Sequence, residues 1–468
     1  MRKKTLAALV AAFLWFTPDM RADQLTLTTA LPVGSDITLA LEANIKATLE
    51  WGDGTTEEIT FNGLPQTFKV ADAQLVIKTE QTITQADVSS CGLTALNLLG
   101  ARNLKVLNCA DNQLTTLSLT RSEALTELDC ENNELTTLAQ LYKCTEIKNL
   151  NCAGNKLTDL STTGMTKLET LVCNDNQLTK LDLSKQAQLK ALWCQGNQLS
   201  ELDLNSKPEL TSVLASDNQL EQVELTDAAR LATLWVDNNQ LTELDLRTAT
   251  LVDYLSADHN QLTSIRMMTR PKNPFTHFYA HNNQLAYKSF PTVYKSGEVE
   301  IVSALDEQTP IALDEVVFEG ESVDFNTLIA SNAWGVATKP TVTWKYKETG
   351  ETVNSEDYKM VNYGKYTFPK QLGLIYAEIN SDSYPGVTLQ TSVINVASPT
   401  GINDATETTA AWSTAKGTLT LNTQKPVKVA VYNMQGIRMV SADVKAGTHT
   451  WNLPSGTYIV NGTKLLIP

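Results

Sequence analysis

The chain has 468 residues, 52 acidic against 37 Lys and Arg, and a formal net charge of −15. That balance argues against nucleic acid and anionic lipid as partners, because both are polyanions. The length suggests three or four domains rather than one.

In chain order, Arg2, Lys3 and Lys4 precede an apolar run from Leu6 to Phe16, and Ala22 offers a small residue at the expected cut. Residues 1–22 therefore read as a secretory signal peptide. The run is too short to span a bilayer as a mature helix, and no other stretch approaches the roughly 18 apolar residues needed. No membrane insertion is expected. Residues 23–82 then read as strands, "DITLALEA", "KATLEW", "TEEITF" and "QTFKV". Asp53-Gly54 inside "WGDGT" (Trp51–Thr55) signals a hairpin. The short motif resembles a polycystin-type β-sandwich, and its expected task is to cap the first unit of the repeat region.

That region begins at residue 83. Aligning on N-x-L places asparagines at Asn112, Asn133, Asn155, Asn176, Asn197, Asn218, Asn239, Asn260 and Asn283, spaced by 21 residues apart from one interval of 22 and one of 23. Around each lies a pattern such as "LETLVCNDNQLTKLDL" (Leu168–Leu183), and Cys91 takes the asparagine place in one earlier unit. The pattern resembles the 21-residue bacterial leucine-rich repeat, and implies a solenoid of about ten rungs over residues 83–287. One such unit cannot bury its own apolar face, whereas stacked units bury a continuous column of leucines. Each asparagine is expected to turn inward and bond the backbone of the bend, since a buried amide without partners is costly. Cys109, Cys130, Cys152, Cys173 and Cys194 share a core-facing slot, three residues before the asparagine. Neighbouring rungs lie about 4.8 Å apart, beyond the ~3.5–4.5 Å that disulfide Cβ atoms need. These cysteines therefore read as small buried hydrophobes.

The slot four before the asparagine faces outward on the concave sheet. It runs Asp87, Asn108, Asp129, Asn151, Val172, Trp193, Leu214, Trp235, Ser256, Tyr279. Trp193 and Trp235 cannot be core residues without flipping the strand and exposing its leucines. Adjacent outward slots add Tyr254, His277, Asp237, Asp258, His281 and His259, while the first rungs carry Asp111, Glu127, Asp129 and Glu131. The face thus has an acidic half and an aromatic half. The histidines suit polar contacts to a ligand, and a metal is the alternative; the stacked cysteines lack the paired Cys-x-x-Cys spacing of a metal site.

Residues 288–398 are again strand-like, from "VEIVS" to "TLQTSVINV", with turns at Thr349-Gly350 and Tyr384-Pro385-Gly386. They suit an immunoglobulin-like sandwich with Trp344 in its core. Repeats followed by such a domain resemble internalin-like adhesins. Residues 399–468 hold the rest of a polar linker, "ASPTGINDATETTAA", and then "VAVYNMQGIRMV" and "LPSGTYIVNGTKLLIP". Tyr432, Gly436, Gly456, Tyr458 and the last strand make this end similar to the sorting domain of type IX secretion cargo, which implies a Gram-negative bacterium. The short tail ending "LLIP" departs from the longer basic strand of that family.

No Gly-x-Ser-x-Gly, His-Glu-x-x-His, phosphate loop or Gly-x-Gly-x-x-Gly occurs. The expected fold is mostly β, a leucine-rich repeat solenoid with flanking β-sandwich domains. The expected activity is binding rather than catalysis, without cofactor or metal. A secreted or surface-held monomer would take an extracellular protein or glycan on its concave face. The alternative is a structural spacer without a ligand.

Overall fold

The computed structural model describes residues 23–138, 140–267, 275–287, 303–304, 308–314, 316–326, 340–382, 387–397, 410–424, 426–433, 438–460 and 463–467. The expected signal peptide, most of the linker, the Tyr384-Pro385-Gly386 turn and Gly436 lie outside them. The chain divides into two compact units, Met1–Asn239 and Gln240–Pro468. Both are built from strands.

The first unit opens on an antiparallel sheet ordered Thr56–Thr60, Lys46–Trp51, Gln74–Thr79, Asp23–Thr29, Leu93–Asn97. Alternation puts Leu25, Leu27, Leu49 and Ile77 in its core. The expected hairpin is present. Gly54 turns it at φ 88°, and the Asp53 carboxylate accepts the Thr55 N–H at 2.8 Å and its hydroxyl at 2.9 Å. Those bonds hold the Asp53 carboxyl below the usual carboxylate range.

One strand of this sheet and one strand outside it cover the first rung. Strand Asp36–Leu41 pairs antiparallel with Gln85–Asp87, and Asp23–Thr29 pairs with Leu93–Asn97. The Glu42 carboxylate accepts the N–H groups of Thr84 and Gln85 at 2.6 and 3.1 Å. Edge groups that would otherwise template aggregation are therefore satisfied.

From Gln85–Asp87 the unit advances through Val106–Asn108, Glu127–Asp129, Asn149–Asn151, Thr170–Val172, Ala191–Trp193, Ser212–Leu214 and Thr233–Trp235. Each pairs in parallel with the next, in register. The middle residue of every strand is buried.

The asparagines tie each rung to the one before. Asn176 Nδ2 donates to the carbonyls of Cys152, Cys173 and Asn174 at 3.0, 3.2 and 3.1 Å, and Asn176 Oδ1 accepts the Leu157 N–H at 2.9 Å. The pattern repeats at Asn112, Asn133, Asn155, Asn197, Asn218 and Asn239, all buried. The residue just before each is left-handed, from Asp111 (φ 55°) through Asn132 (52°), Asp175 (54°) and Asp217 (55°) to Asn238 (53°), with Gly154 and Gly196 in the other two rungs. That conformation restricts the slot to residues such as Asn, Asp and Gly.

All seven cysteines are free and buried. Burial pushes the thiols of Cys91, Cys152 and Cys194 up to about 12 and that of Cys144 to about 11. It raises Cys109, Cys130 and Cys173 as well. Lys207 is buried too, its Nζ donating to the Asn205 carbonyl at 2.9 Å. Burial lowers its pKa, against the pull of Asp203 and Asp182.

In the second unit Tyr254–Ser256 and His277–Tyr279 continue the parallel pattern, with Asn260 and Asn283 in the asparagine place. The pattern runs past the expected end at residue 287. Ser303–Ala304 pairs in parallel with His277–Tyr279. Gln308 then acts as a further ladder amide: its Oε1 accepts the Leu285 N–H at 2.9 Å and its Nε2 donates to the Ala280 carbonyl at 2.7 Å. Tyr287, fully buried, places its hydroxyl 2.9 and 3.0 Å from the carbonyls of Ile379 and Val387.

Ile379 belongs to a sheet ordered Val316–Phe318, Ile394–Ala397, Gly373–Asn380, Thr341–Tyr346, which is accompanied by a three-stranded sheet. Trp344 is fully buried there, edge-on to Tyr366 and Phe368. Two last sheets share a core of Leu419, Leu421, Val429, Val431 and Val460.

The interior yields two expected outcomes. Asn176→Ala leaves the buried Leu157 N–H unpartnered, while the carbonyls it joins keep donors from Asn155, Asn197 and Gly154, so urea unfolding should show a loss of about 1–3 kcal/mol. In the native protein at mildly alkaline pH the seven buried thiols should resist a chromogenic disulfide reagent, and all seven should react after unfolding without reductant. A shortfall in the unfolded count would reveal a disulfide.

Candidate functional site

In the first unit the outward slot brings four apolar side chains into one column. Val172 lies opposite Trp193, Trp193 opposite Leu214, and Leu214 opposite Trp235 in the parallel register. Trp193 is 41% exposed and Trp235 36%, whereas their inward neighbours Leu192, Cys194, Leu234 and Val236 are fully buried. The leucines and cysteines occupy the interior, so strand alternation leaves the tryptophans no other face. Parallel strands at about 4.8 Å separate the two indoles by roughly 10 Å, with Leu214 between.

The slots beside this column carry one sign of charge. Across the eight rungs of the unit, the outward slots hold Asp87, Asp111, Glu127, Asp129, Glu131, Asp175, Asp217 and Asp237 and no Lys or Arg. Among the described residues no cation pairs with any of these eight. Their partners are neutral: Asn132 Nδ2 donates to Asp111 at 2.9 Å, Asn151 Nδ2 to Glu131 at 2.7 Å, and Ser216 Oγ to Asp237 at 2.6 Å. Burial, followed by Glu131 and Asp111 among its neighbouring charges, raises the Asp129 pKa against the hydrogen bonds it accepts. Gln195 Oε1, two residues after Trp193, has no hydrogen-bond partner. The ion pairs of this unit lie in other slots, as in Lys156–Glu134, Lys190–Glu169 and Arg230–Glu209.

The second unit holds the other residues expected at the site. Tyr254 stacks on His277 with ring centroids 4.4 Å apart and planes at 22°. Tyr279 lies 6.1 Å from Tyr254 and 6.0 Å from His277. His259 and His281 meet edge to face at 5.1 Å, and Asn282 Nδ2 is 3.1 Å from His259 Nε2. Asp258 departs from the expected exposed contact. It is buried, and its Oδ1 accepts the His281 backbone N–H at 2.9 Å. His281 Nδ1 lies 2.8 Å from the same oxygen, close but without hydrogen-bond alignment. The reason is the strand end: the carboxylate satisfies the next rung's backbone, as Asp237 satisfies the Ser216 hydroxyl. Among the described residues no group of three or more His, Cys, Asp or Glu side chains converges to hold a metal.

Sequence reasoning missed the backbone role of the slot before each asparagine. His259 and Asn282 sit there at φ 51°, as do Asp111, Asp175 and Asp217. The signal was present as a column of Asp, Asn and Gly, the residues that tolerate a left-handed backbone.

No protein-family model matches the chain, and no curated protein matches it. Among solved structures, the functional domain of InlJ from Listeria monocytogenes, described as including a cysteine ladder, aligns with a TM-score of 0.52 at 19% identity. The match covers 67% of this chain and 69% of that one. YopM from Yersinia pestis aligns at 0.40 and 24% identity, over 50% of this chain and 63% of that one. InlP from Listeria monocytogenes aligns at 0.38 and 16%, over 64% and 83%. The InlJ match shows a shared fold: the chain is mostly β, a leucine-rich repeat solenoid with flanking sheets.

Exposure sets the cost of truncation. Trp193→Ala and Trp235→Ala should each change unfolding stability by no more than about 1 kcal/mol, against roughly 3–5 kcal/mol for a core tryptophan. Trp344→Ala, at a fully buried site, is the control that should show the larger loss.

Proposed function

We propose that this chain is an exported, non-enzymatic binding protein that holds an extracellular protein or glycan on the outward face of its repeat strands. One observation carries the reading. Val172, Trp193, Leu214 and Trp235 form a joined column of apolar side chains, with both indoles exposed. A soluble chain rarely leaves large apolar side chains adjoining on its surface without a use. Indoles are also the side chains most often found at the energetic centre of interfaces. The stacked Tyr254 and His277, with Tyr279, His259 and His281, are candidate contacts of the second unit by itself. Asp237 belongs to the polar rim.

Export rests on the signal-like residues 1–22 and on the C-terminal residues that resemble a type IX sorting domain. Both assign the protein to the outside of a Gram-negative cell, attached or released. Among the described residues no helix is long and apolar enough to cross a membrane. The immunoglobulin-like reading of residues 288–398 makes that region a connector between repeats and sorting end, as in internalin-like adhesins.

The test uses the full chain and its double variant Trp193→Ala/Trp235→Ala on a glycan array and on immobilised extracellular-matrix proteins. Wild type should bind at least one of them, and the double variant should lose about tenfold or more in affinity. Equal binding by both would leave the repeats a spacer. Protease added to intact cells should cut the protein while a periplasmic marker stays whole.

A further inference from the structure

We infer that the partner meets this face with cationic side chains, so that the ligand is a basic protein or peptide segment and not a neutral glycan. The inference deepens the binding reading above and rests on it.

Charge separates the two kinds of ligand. Eight carboxylates occupy the outward slots of the first unit, no Lys or Arg shares those slots, and none of the carboxylates has a cationic partner among the described residues. Asp175, Asp217 and Asp237 flank the column of Trp193, Leu214 and Trp235 itself. The fold does not require that charge. The left-handed slot that holds Asp175 and Asp217 accepts Gly154, Gly196, Asn132 and Asn238 in neighbouring rungs. The slot of Asp237 is Ala153, Asn174, Gln195 and Ser216 elsewhere. Neutral residues serve the turn, so the acidic ones leave an uncompensated field over the apolar column.

An incoming cation meets opposite charge on this face, with no cation already in those slots to compete for it. The same geometry suits arginine or lysine at short range. A guanidinium or ammonium packs on an indole face, where it is drawn to the ring's negative quadrupole. Carboxylates at the edge of the column receive its N–H groups in charge-assisted bonds. The aliphatic stem of either side chain covers Leu214. A pyranose would also stack on the indoles and give hydroxyls to the carboxylates, but it carries no charge to offset the eight. An acidic or phosphorylated partner would be repelled.

The test measures binding of the full chain to a synthetic peptide alternating arginine with leucine and serine. A counterpart carries citrulline at every arginine position, keeping the shape and losing the charge. Neutral glucose and N-acetylglucosamine hexasaccharides form a third arm. Expected is binding of the arginine peptide that weakens about tenfold or more from low to high salt, as screening predicts. The Trp193→Ala and Asp217→Asn/Asp237→Asn variants should each weaken it by about the same factor, while their melting temperatures stay near wild type. Three results overturn the inference: absence of binding by the arginine peptide, equal binding of the citrulline peptide, or arginine-peptide binding that ignores both sets of substitutions. Should a hexasaccharide or the citrulline peptide bind in a Trp193-dependent, salt-insensitive way, the face remains a binding site and only its cationic partner is wrong. Loss of tryptophan dependence for every ligand fails the binding reading itself.

Discussion

Everything in the repeat region depends on how one amide side chain bridges two successive turns. A three-residue strand has too few backbone bonds to persist alone. In this chain each buried asparagine takes the N–H of the previous rung's turn and gives its own N–H groups to carbonyls of both rungs, as Asn176 does with Leu157, Cys152 and Cys173. A one-residue slip would present the wrong carbonyls and turn leucines to water, so register is held at every step. Exposed ion pairs between rungs, such as Lys156–Glu134 at 2.5 Å, add at most about 1 kcal/mol each and cannot do this job.

Held register has two consequences on opposite sides of the strand. Inside, side chains from equivalent slots stack. The row beside the asparagines is filled by small buried residues, cysteines from Cys109 to Cys194 and then Ala215 and Val236. Their burial raises every thiol in the row, which disfavours the reactive thiolate. Outside, the same stacking turns one residue per rung into a continuous column. Val172, Trp193, Leu214 and Trp235 are 21 residues apart in the chain and adjacent in the sheet.

The ends need different chemistry, because a ladder has no partner beyond its last rung. At the start, Asp36–Leu41 runs antiparallel to Gln85–Asp87, and Glu42 occupies the backbone donors next to that strand. In the second unit Gln308 reproduces the asparagine pattern one rung further, through Leu285 and Ala280. Its side chain, one methylene longer, does the same work from a loop of different length.

The sequence alone determined whatever repeats. The spacing of the asparagines marked the rungs, alternation around them assigned Trp193 and Trp235 to the surface, and slot-sharing placed the five cysteines inside without pairing. Such features are legible because the interaction that creates them is local and recurs at a fixed interval. Only the tertiary structure decided what happens once. Asp258 lies in an outward slot by count, yet it is buried on the His281 backbone. Gln308 follows Asn283 by 25 residues, so no periodic reading reaches it. Tyr287 binds carbonyls 92 and 100 residues away. A contact made between distant segments leaves no period in the chain, because its geometry is set by where the two segments come to rest rather than by their spacing in sequence.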